Sequence, residues 1–556
     1  MKILRLNMSE KRISAESPRE EMILGGRAMV DYLMTEYGSA SANPLSEESL
    51  FIVAPGLLAG SVAPQSGRIS VGGKSPLTGG IKEANAGGTA AHKMGRIGIH
   101  AIMVEGRSKE PQILLINEKE AKLQPAGEIV GQMNYGACET LRKIYGNKVG
   151  IIISGPAGEM KLANSTVAVT DPDGNPSRHA ARGGLGAVMG AKGLKAIVID
   201  DHEGSQRKAV VESGFKAASK AVAEAIQSGP VTEALHSMGT AIFVDGDNGR
   251  GSLPTRNHRL GSFENVSNIN AKKFLELVKA RGGSMGHGCM PGCVVRCSSK
   301  FCDPRGNFVT AALEYETIGM LGSNLGIDDL DVIARMDRKC DELGIDTIEL
   351  GCTIGILNDV GLFEFGDAAR AEALVNEIAQ GTPMGRILGS GVVATAKAFG
   401  IDRIPAVKGL GIPAHAARSS KGWAVTYATS PQGADHTAGA VMEDPLSPKG
   451  QAERSRTSQI GMAAFDATGL CLFTFLARTP KVIVPMINAL YGVNWTESDY
   501  LEMGRVMLRQ ERAFNLKAGI GPGADGIPEW MRREPLPPTN AVFDVPQEDL
   551  DAVFNF

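Results

Sequence analysis

The strongest constraint on the fold comes from two hexapeptides of one pattern, Asp341-Glu-Leu-Gly-Ile-Asp346 and Asp466-Ala-Thr-Gly-Leu-Cys471. The second ends in a cysteine that is remote in sequence from a tight loop, Gly286-His-Gly-Cys289-Met-Pro-Gly-Cys293-Val-Val-Arg-Cys297. Three thiols close together, closed by a fourth from a distant element, are what an iron–sulfur cluster requires. A chain that uses them must fold so that the two segments meet. The repeated Asp-x-x-Gly-x-Asp/Cys also implies two equivalent binding tasks in two related places. Both features point to a redox enzyme with a cluster beside a larger, pseudo-symmetric cofactor.

Other uses of the cysteine loop are less consistent with its spacing. Structural zinc usually takes paired cysteines across a longer finger, and the second pair is missing. A radical S-adenosylmethionine site has Cys-x3-Cys-x2-Cys, whereas this chain has Cys-x3-Cys-x3-Cys. Cys138, Cys302, Cys340 and Cys352 have no comparable context and are expected to be buried structural residues.

A net charge of -3 gives no reason to expect nucleic acid. No long charge-free apolar run occurs, and the N-terminus lacks the apolar stretch of a signal peptide, so a cytoplasmic protein without membrane insertion is expected. Residues 1–205 read as a strand-rich domain, with short apolar runs such as Leu50-Phe-Ile-Val-Ala54 and Val149-Gly-Ile-Ile-Ile153 punctuated by glycine and proline. Beyond a polar stretch, apolar residues recur at three- and four-residue spacing, as in Leu330 to Leu343 and Leu501 to Ala518, which predicts helices. The glycine- and proline-rich run Val407-Lys-Gly-Leu-Gly-Ile-Pro413 divides the helical part into 206–410 and 411–556, giving each one hexapeptide.

Glycine is over-used, at 69 of 556 residues, about 12% against a usual 7% or so. In the strand-rich region it clusters in four segments, Ala63-Pro-Gln-Ser-Gly-Arg68, Lys74-Ser-Pro-Leu-Thr-Gly-Gly80, Ala84-Asn85-Ala-Gly87-Gly88 and Arg178-His179-Ala-Ala-Arg182-Gly183-Gly184-Leu-Gly186, two of which carry arginine. Arginine next to glycine suits a phosphate or polar heterocycle, because the guanidinium donates in plane where glycine lets the backbone approach. Neither a P-loop nor a strand-linked Gly-x-Gly-x-x-Gly occurs at these segments, which argues against a nucleoside triphosphate or a Rossmann dinucleotide. Glu316 and His436 are a carboxylate and an imidazole that could share proton transfer at a carbonyl substrate; on residue type alone each is more often a structural hydrogen-bonding group.

Over nearly its full length the sequence resembles the aldehyde ferredoxin oxidoreductase family. The resemblance is carried by Arg5-Leu-Asn-Met-Ser9, Ile153-Ser-Gly-Pro-Ala-Gly-Glu159, Gly186-Ala-Val-Met-Gly-Ala-Lys192, Phe514-Asn-Leu-Lys-Ala-Gly519 and, above all, the hexapeptide pair. It implies an α+β chain in which an N-terminal two-sheet domain forms a base for two pterins and two mainly helical domains cover it. It further implies a tungsten or molybdenum bis-pterin cofactor and one [4Fe-4S] cluster. Asp341 and Asp346 would contact one pterin, and Asp466 with the Leu470 backbone the other. Cys289, Cys293, Cys297 and Cys471 would ligate the cluster. Arg68, Arg178 and Arg182 would meet pterin and phosphate, with carbonyls near Asn85 and His179 holding a bridging Mg2+. Glu316 and His436 match the family's active-site glutamate and histidine.

The implied reaction is oxidation of an aldehyde to its acid, with electrons leaving through the cluster to ferredoxin or to dedicated iron–sulfur and flavin subunits. The alternatives are a cofactor-degenerate scaffold subunit of an electron-transfer complex and a radical S-adenosylmethionine enzyme. Two places depart from the family pattern. The cysteine loop has one residue more than the familiar Cys-x2-Cys-x3-Cys. Arg335 and Arg338 stand where some members carry a Glu-x-x-His interface metal site, so that metal and its dimer mode are not expected, although an oligomer remains open.

Overall fold

The computed structural model describes residues 2–17, 23–202, 204–474 and 478–556. Its architecture is α+β: two six-stranded mixed sheets come first, and helices with two small sheets follow. The first sheet has the spatial order Arg12–Glu16, Lys2–Asn7, Ile99–Glu105, Phe51–Pro55, Ile69–Lys74, Ile81–Ala86. The second runs Ala121–Pro125, Gln112–Asn117, Leu194–Asp200, Gly150–Ser154, Val167–Val169, Arg178–Ala180.

These are two copies of one topology. In each sheet the first and sixth strands in chain order pair in parallel and every other pairing is antiparallel. The helices repeat as well. Gly26–Tyr37 and Asn134–Tyr145 each lie between the second and third strands of their copy, and Ala90–Arg96 and Leu185–Ala191 between the fifth and sixth. The fifth strands of the two copies lie against each other, bringing Asn85 and His179 to one region of the base.

The uninterrupted apolar runs follow from cover on both faces. Along Phe51–Pro55, Phe51 and Val53 enter a core shared with Leu114, Ile152 and Ile197 of the other sheet. Ile52 and Ala54 point the opposite way, onto Met29, Val30 and Leu33 of the helix Gly26–Tyr37. Side chains alternate along a strand, so a strand covered on both faces carries no polar positions. Ile151 and Ile153 repeat this on the outer face of the second sheet, against Ala137, Cys138 and Leu141.

The helices cover the base around separate cores. One gathers Leu330–Leu343, Thr347–Asp359 and Ala368–Gln380, and reaches Ala157 and Leu162 of the base. In a second, Glu212–Gln227 packs on Pro480–Tyr491, although the two lie far apart in the chain. The run around Gly409 is a small hairpin pairing Ala406–Val407 with Leu410–Gly411. Cys138, Cys302, Cys340 and Cys352 are buried. Among the described residues no helix is long and apolar enough to cross a membrane.

Candidate active site

Each hexapeptide ends a helix. Leu330–Leu343 and Gln451–Thr468 both stop at a glycine in the left-handed region, Gly344 at φ 74° and Gly469 at φ 77°. That conformation caps a helix and disfavours side chains. Each turn then rests on the glycine that follows the third strand of one sheet copy. A Cβ at Gly155 would lie 2.3 Å from the Leu343 carbonyl oxygen, and a Cβ at Gly56 would lie 2.2 Å from Gly469 Cα. Corresponding backbone groups complete both docks: the residue preceding the fourth strand donates its N–H to the turn glycine, Thr166 to Gly344 at 2.9 Å and Arg68 to Gly469 at 3.0 Å.

The acids of the first hexapeptide meet the arginine- and histidine-bearing segment of the second sheet. Asp341 lies 3.0 Å from His179 Nε2 and accepts from the Tyr135 hydroxyl at 3.3 Å. Asp346 caps the helix Thr347–Asp359, accepting from the Ile348 and Glu349 N–H groups, and lies 3.3 Å from Arg182 Nε. Arg182 also donates to the Ala434 and Gly411 carbonyls, with Gly183 and Gly184 following it in left-handed backbone.

The surroundings of the second hexapeptide are more acidic. Asp466 lies 3.2 Å from Arg27, which is also gripped by both carboxylate oxygens of Glu511. Asp31 and Glu83 are buried nearby, so four carboxyl groups share one guanidinium. Burial, with Glu83 and in opposition to Arg27, pushes Asp466 up to about 7. The Leu470 N–H donates to Thr468 Oγ1 at 3.1 Å. The position equivalent to Asp346 is Cys471.

Cys471 faces the cysteine loop, and the fold brings the four thiols within electrostatic reach of one another. Cys289 affects Cys293, Cys297 and Cys471, and Cys471 affects Cys293 and Cys297. A hydrogen bond with Cys293, helped by Arg178 and Arg68 and opposed by burial, brings Cys289 down to about 6. That bond and burial raise Cys293, while burial raises Cys297 and Cys471. Gly87 lets the base come against the loop, since a Cβ there would sit 3.1 Å from Cys289 Sγ, and the Gly88 N–H donates to the Cys289 carbonyl. Arg68 donates to the Asn85 side chain; Arg178 donates to Ser298 at 2.7 Å, while its Nε is buried without a partner among the described residues. No group of three or more His, Cys, Asp or Glu among those residues converges on a single metal ion. A cluster spaces its thiolates around a polynuclear core, so four thiols spread about one pocket fit it better than a mononuclear ion.

Next to the thiols, the start of the helix Tyr315–Leu321 sends three successive side chains to three tasks. Glu314 bonds Thr240 and is felt by Cys289 and Cys297. The Tyr315 hydroxyl donates to Asp247 and the Ala414 carbonyl. Glu316 accepts the Ala414 N–H on Oε2 at 2.7 Å, while its Oε1 lies 3.5 Å from His415 Nε2 and 3.6 Å from His436 Nε2. His415 is a site residue that the sequence reading missed. It is held by Asp247 at 2.9 Å and stacked on Trp423 at 4.0 Å. Burial alone would lower His415; Asp247 and Glu316 more than offset it and raise it. For His436, burial prevails over Glu316 and Asp435 and lowers it. The only local sign of His415 was a histidine after a glycine- and proline-rich run, and its partner Asp247 is distant in the chain.

The pocket thus sets four thiols beside a carboxylate and two imidazoles. The family follows from comparison with known proteins. Residues 3–201 match the family model of the aldehyde ferredoxin oxidoreductase N-terminal domain, and residues 217–555 match that of its domains 2 and 3. The chain therefore belongs to the aldehyde ferredoxin oxidoreductase family. It is similar to tungsten-containing aldehyde ferredoxin oxidoreductases of Pyrococcus horikoshii, at 33% identity over 96% of this chain and 92% of the relative, and of Thermococcus kodakarensis, at 32% over the same shares. A WOR-like subunit of an aliphatic sulfonate oxidoreductase from Pyrococcus furiosus is 24% identical over 93% of this chain and 86% of its own length. The fold is shared with the active-site complex BamBC of benzoyl coenzyme A reductase, at a TM-score of 0.80 and 18% identity, covering 95% of this chain and 90% of that one.

Proposed function

We propose that the protein oxidises an aldehyde with water to the carboxylic acid, releasing two electrons and two protons, at a tungsten or molybdenum bis-pterin centre. In this reading Asp341, Asp346, Asp466 and the Leu470 backbone would hold the pterins, with Arg68, Arg178, Arg182, the glycines Gly87, Gly88, Gly183 and Gly184, and a Mg2+ near Asn85 and His179 serving their polar edges. Cys289, Cys293, Cys297 and Cys471 would hold a [4Fe-4S] cluster, which would supply a path for electrons to ferredoxin or to dedicated iron–sulfur and flavin subunits. When bound, the metal centre supplies a two-electron acceptor and a Lewis acid for oxygen.

The observation that carries the proposal is the Glu316 carboxylate, with one oxygen fixed by the Ala414 N–H and the other set between two imidazoles. Fixing Oε2 leaves Oε1 to take a proton from water or the hydrated aldehyde, a placement general-base catalysis requires. His436, kept neutral by burial, offers an N–H to the carbonyl oxygen where negative charge develops. His415, raised against burial by Asp247 and Glu316, faces the same Glu316 oxygen as His436.

Glu316→Gln keeps the Ala414 contact and removes the base. Metal, pterin and iron contents should stay at wild-type levels while aldehyde-dependent dye reduction per bound metal falls by about 10²–10⁴-fold. Unaltered turnover per metal would eliminate Glu316 as the base.

A further inference from the structure

Gln65 is fully buried in the middle of the cysteine pocket, and it is not among the residues by which the sequence resembles its family. Three of its four polar groups tie the pocket together. Its N–H donates to the Gly292 carbonyl at 3.0 Å, its side-chain Oε1 accepts the Val294 N–H at 2.8 Å, and its carbonyl accepts the Cys471 N–H at 2.9 Å. Gly292 and Val294 flank Cys293, so this one residue joins the cysteine loop to the remote cysteine. Its backbone is left-handed at φ 59°, unusual for a residue with a side chain. Strain of this kind persists where the surrounding contacts fix it.

The fourth group, the Nε2 amide, is buried and has no partner among the described residues. The orientation of the amide is dictated by chemistry, because turning it over would set NH2 against the Val294 N–H, donor against donor. A buried donor without an acceptor is costly, while the Oε1 of the same amide is needed for the Val294 N–H. An acceptor held in the pocket would remove that cost.

We infer that Gln65 Nε2 donates a hydrogen bond to a sulfur, thiolate or sulfide, of the cluster assigned above to Cys289, Cys293, Cys297 and Cys471, and so is a positioning and potential-setting residue for electron exit. The inference rests on that cluster reading. Hydrogen bonds to cluster sulfur stabilise the more negative reduced state and raise its potential. Gln65 thus makes the cluster a better acceptor of electrons from the neighbouring centre.

The test compares the purified full-length protein with Gln65→Glu, which keeps an acceptor for Val294 and loses the amide donor, and with Gln65→Met, which loses both. Iron content, the EPR signal of the reduced cluster and its midpoint potential are read in each. Retained iron with a midpoint shifted to more negative values, on the order of tenfold in the reduction equilibrium or ~59 mV for one electron, supports the inference. Retained iron with an unmoved midpoint overturns it. Where a substitution costs iron, pulsed EPR of the reduced wild-type protein labelled with 15N-glutamine decides: a nitrogen coupling supports the bond and no coupling refutes it. Wild-type protein without cluster iron would instead remove the cluster reading itself, leaving the two failures distinct.

Discussion

The two hexapeptide docks are built alike and charged differently. At both, a helix ends at a left-handed glycine, that glycine meets another at the end of a third strand, and the residue before a fourth strand donates to it. The duplicated base accounts for this likeness, since two copies of one sheet offer two equivalent seats. At the first dock Asp341 has His179, and Asp346 shares Arg182 with Glu349 and Asp435. At the second, Asp466 shares Arg27 with Glu511, near buried Asp31 and Glu83, and the last position holds a thiol. Geometry is thus set by the repeated backbone, and each side's task is set by a few side chains. The last position of the first dock is a carboxylate, and that of the second is a thiol facing the cysteine loop.

The largest effect expected of this asymmetry is at its last position. Cys471→Ser should abolish or collapse the cluster, read as lost iron and a lost cluster spectrum, whereas Cys302→Ser, in a buried strand outside the pocket, should keep both. Full iron in Cys471→Ser would make the two docks alike in task as well as in geometry.

Next come the glycines that make the docks alike. Gly56→Ala and Gly155→Ala both force a Cβ into backbone, at 2.2 Å and 2.3 Å. Each should destabilise the fold by about 1–3 kcal/mol or more, measured by chemical denaturation. Loss at only one of them would break the equivalence of the seats.

A third effect is in pH. Asp466 is raised in the folded protein to about 7, so between the unfolded carboxylate value near 4 and that point the folded state binds more protons than the unfolded chain. Stability of the cofactor-free protein should therefore fall as pH rises through this window, by up to about 4 kcal/mol for a shift of this size. Asp466→Asn should flatten the slope, measured by thermal denaturation across pH 4–8. A wild-type slope of the opposite sign would contradict the account of the second dock.

Much of this was legible in sequence, for local reasons. Apolar runs with glycine breaks gave strands, three- and four-residue spacing gave helices such as Leu330–Leu343, and the cysteine spacing singled out the thiol loop. The duplication of the sheets was not legible, because it lives in strand order and pairing while the side chains of the two copies have diverged. Thr166 and Arg68 fill corresponding places with nothing alike but a backbone N–H. The packing of Glu212–Gln227 on Pro480–Tyr491 was hidden because an amphipathic pattern shows that a helix has a buried face but not what covers it. His415 and Gln65 were missed because each acts through partners far away in the chain: Asp247 and Glu316 for one, Val294 and Cys471 for the other.

The measurement that tests the central claim most directly is elemental and cofactor analysis of the protein purified without oxygen. The account predicts close to one tungsten or molybdenum and four irons per chain, with two pterins released on denaturation, and aldehyde-dependent reduction of a dye that tracks the metal. Iron without pterin, or neither group in a folded protein, would contradict it.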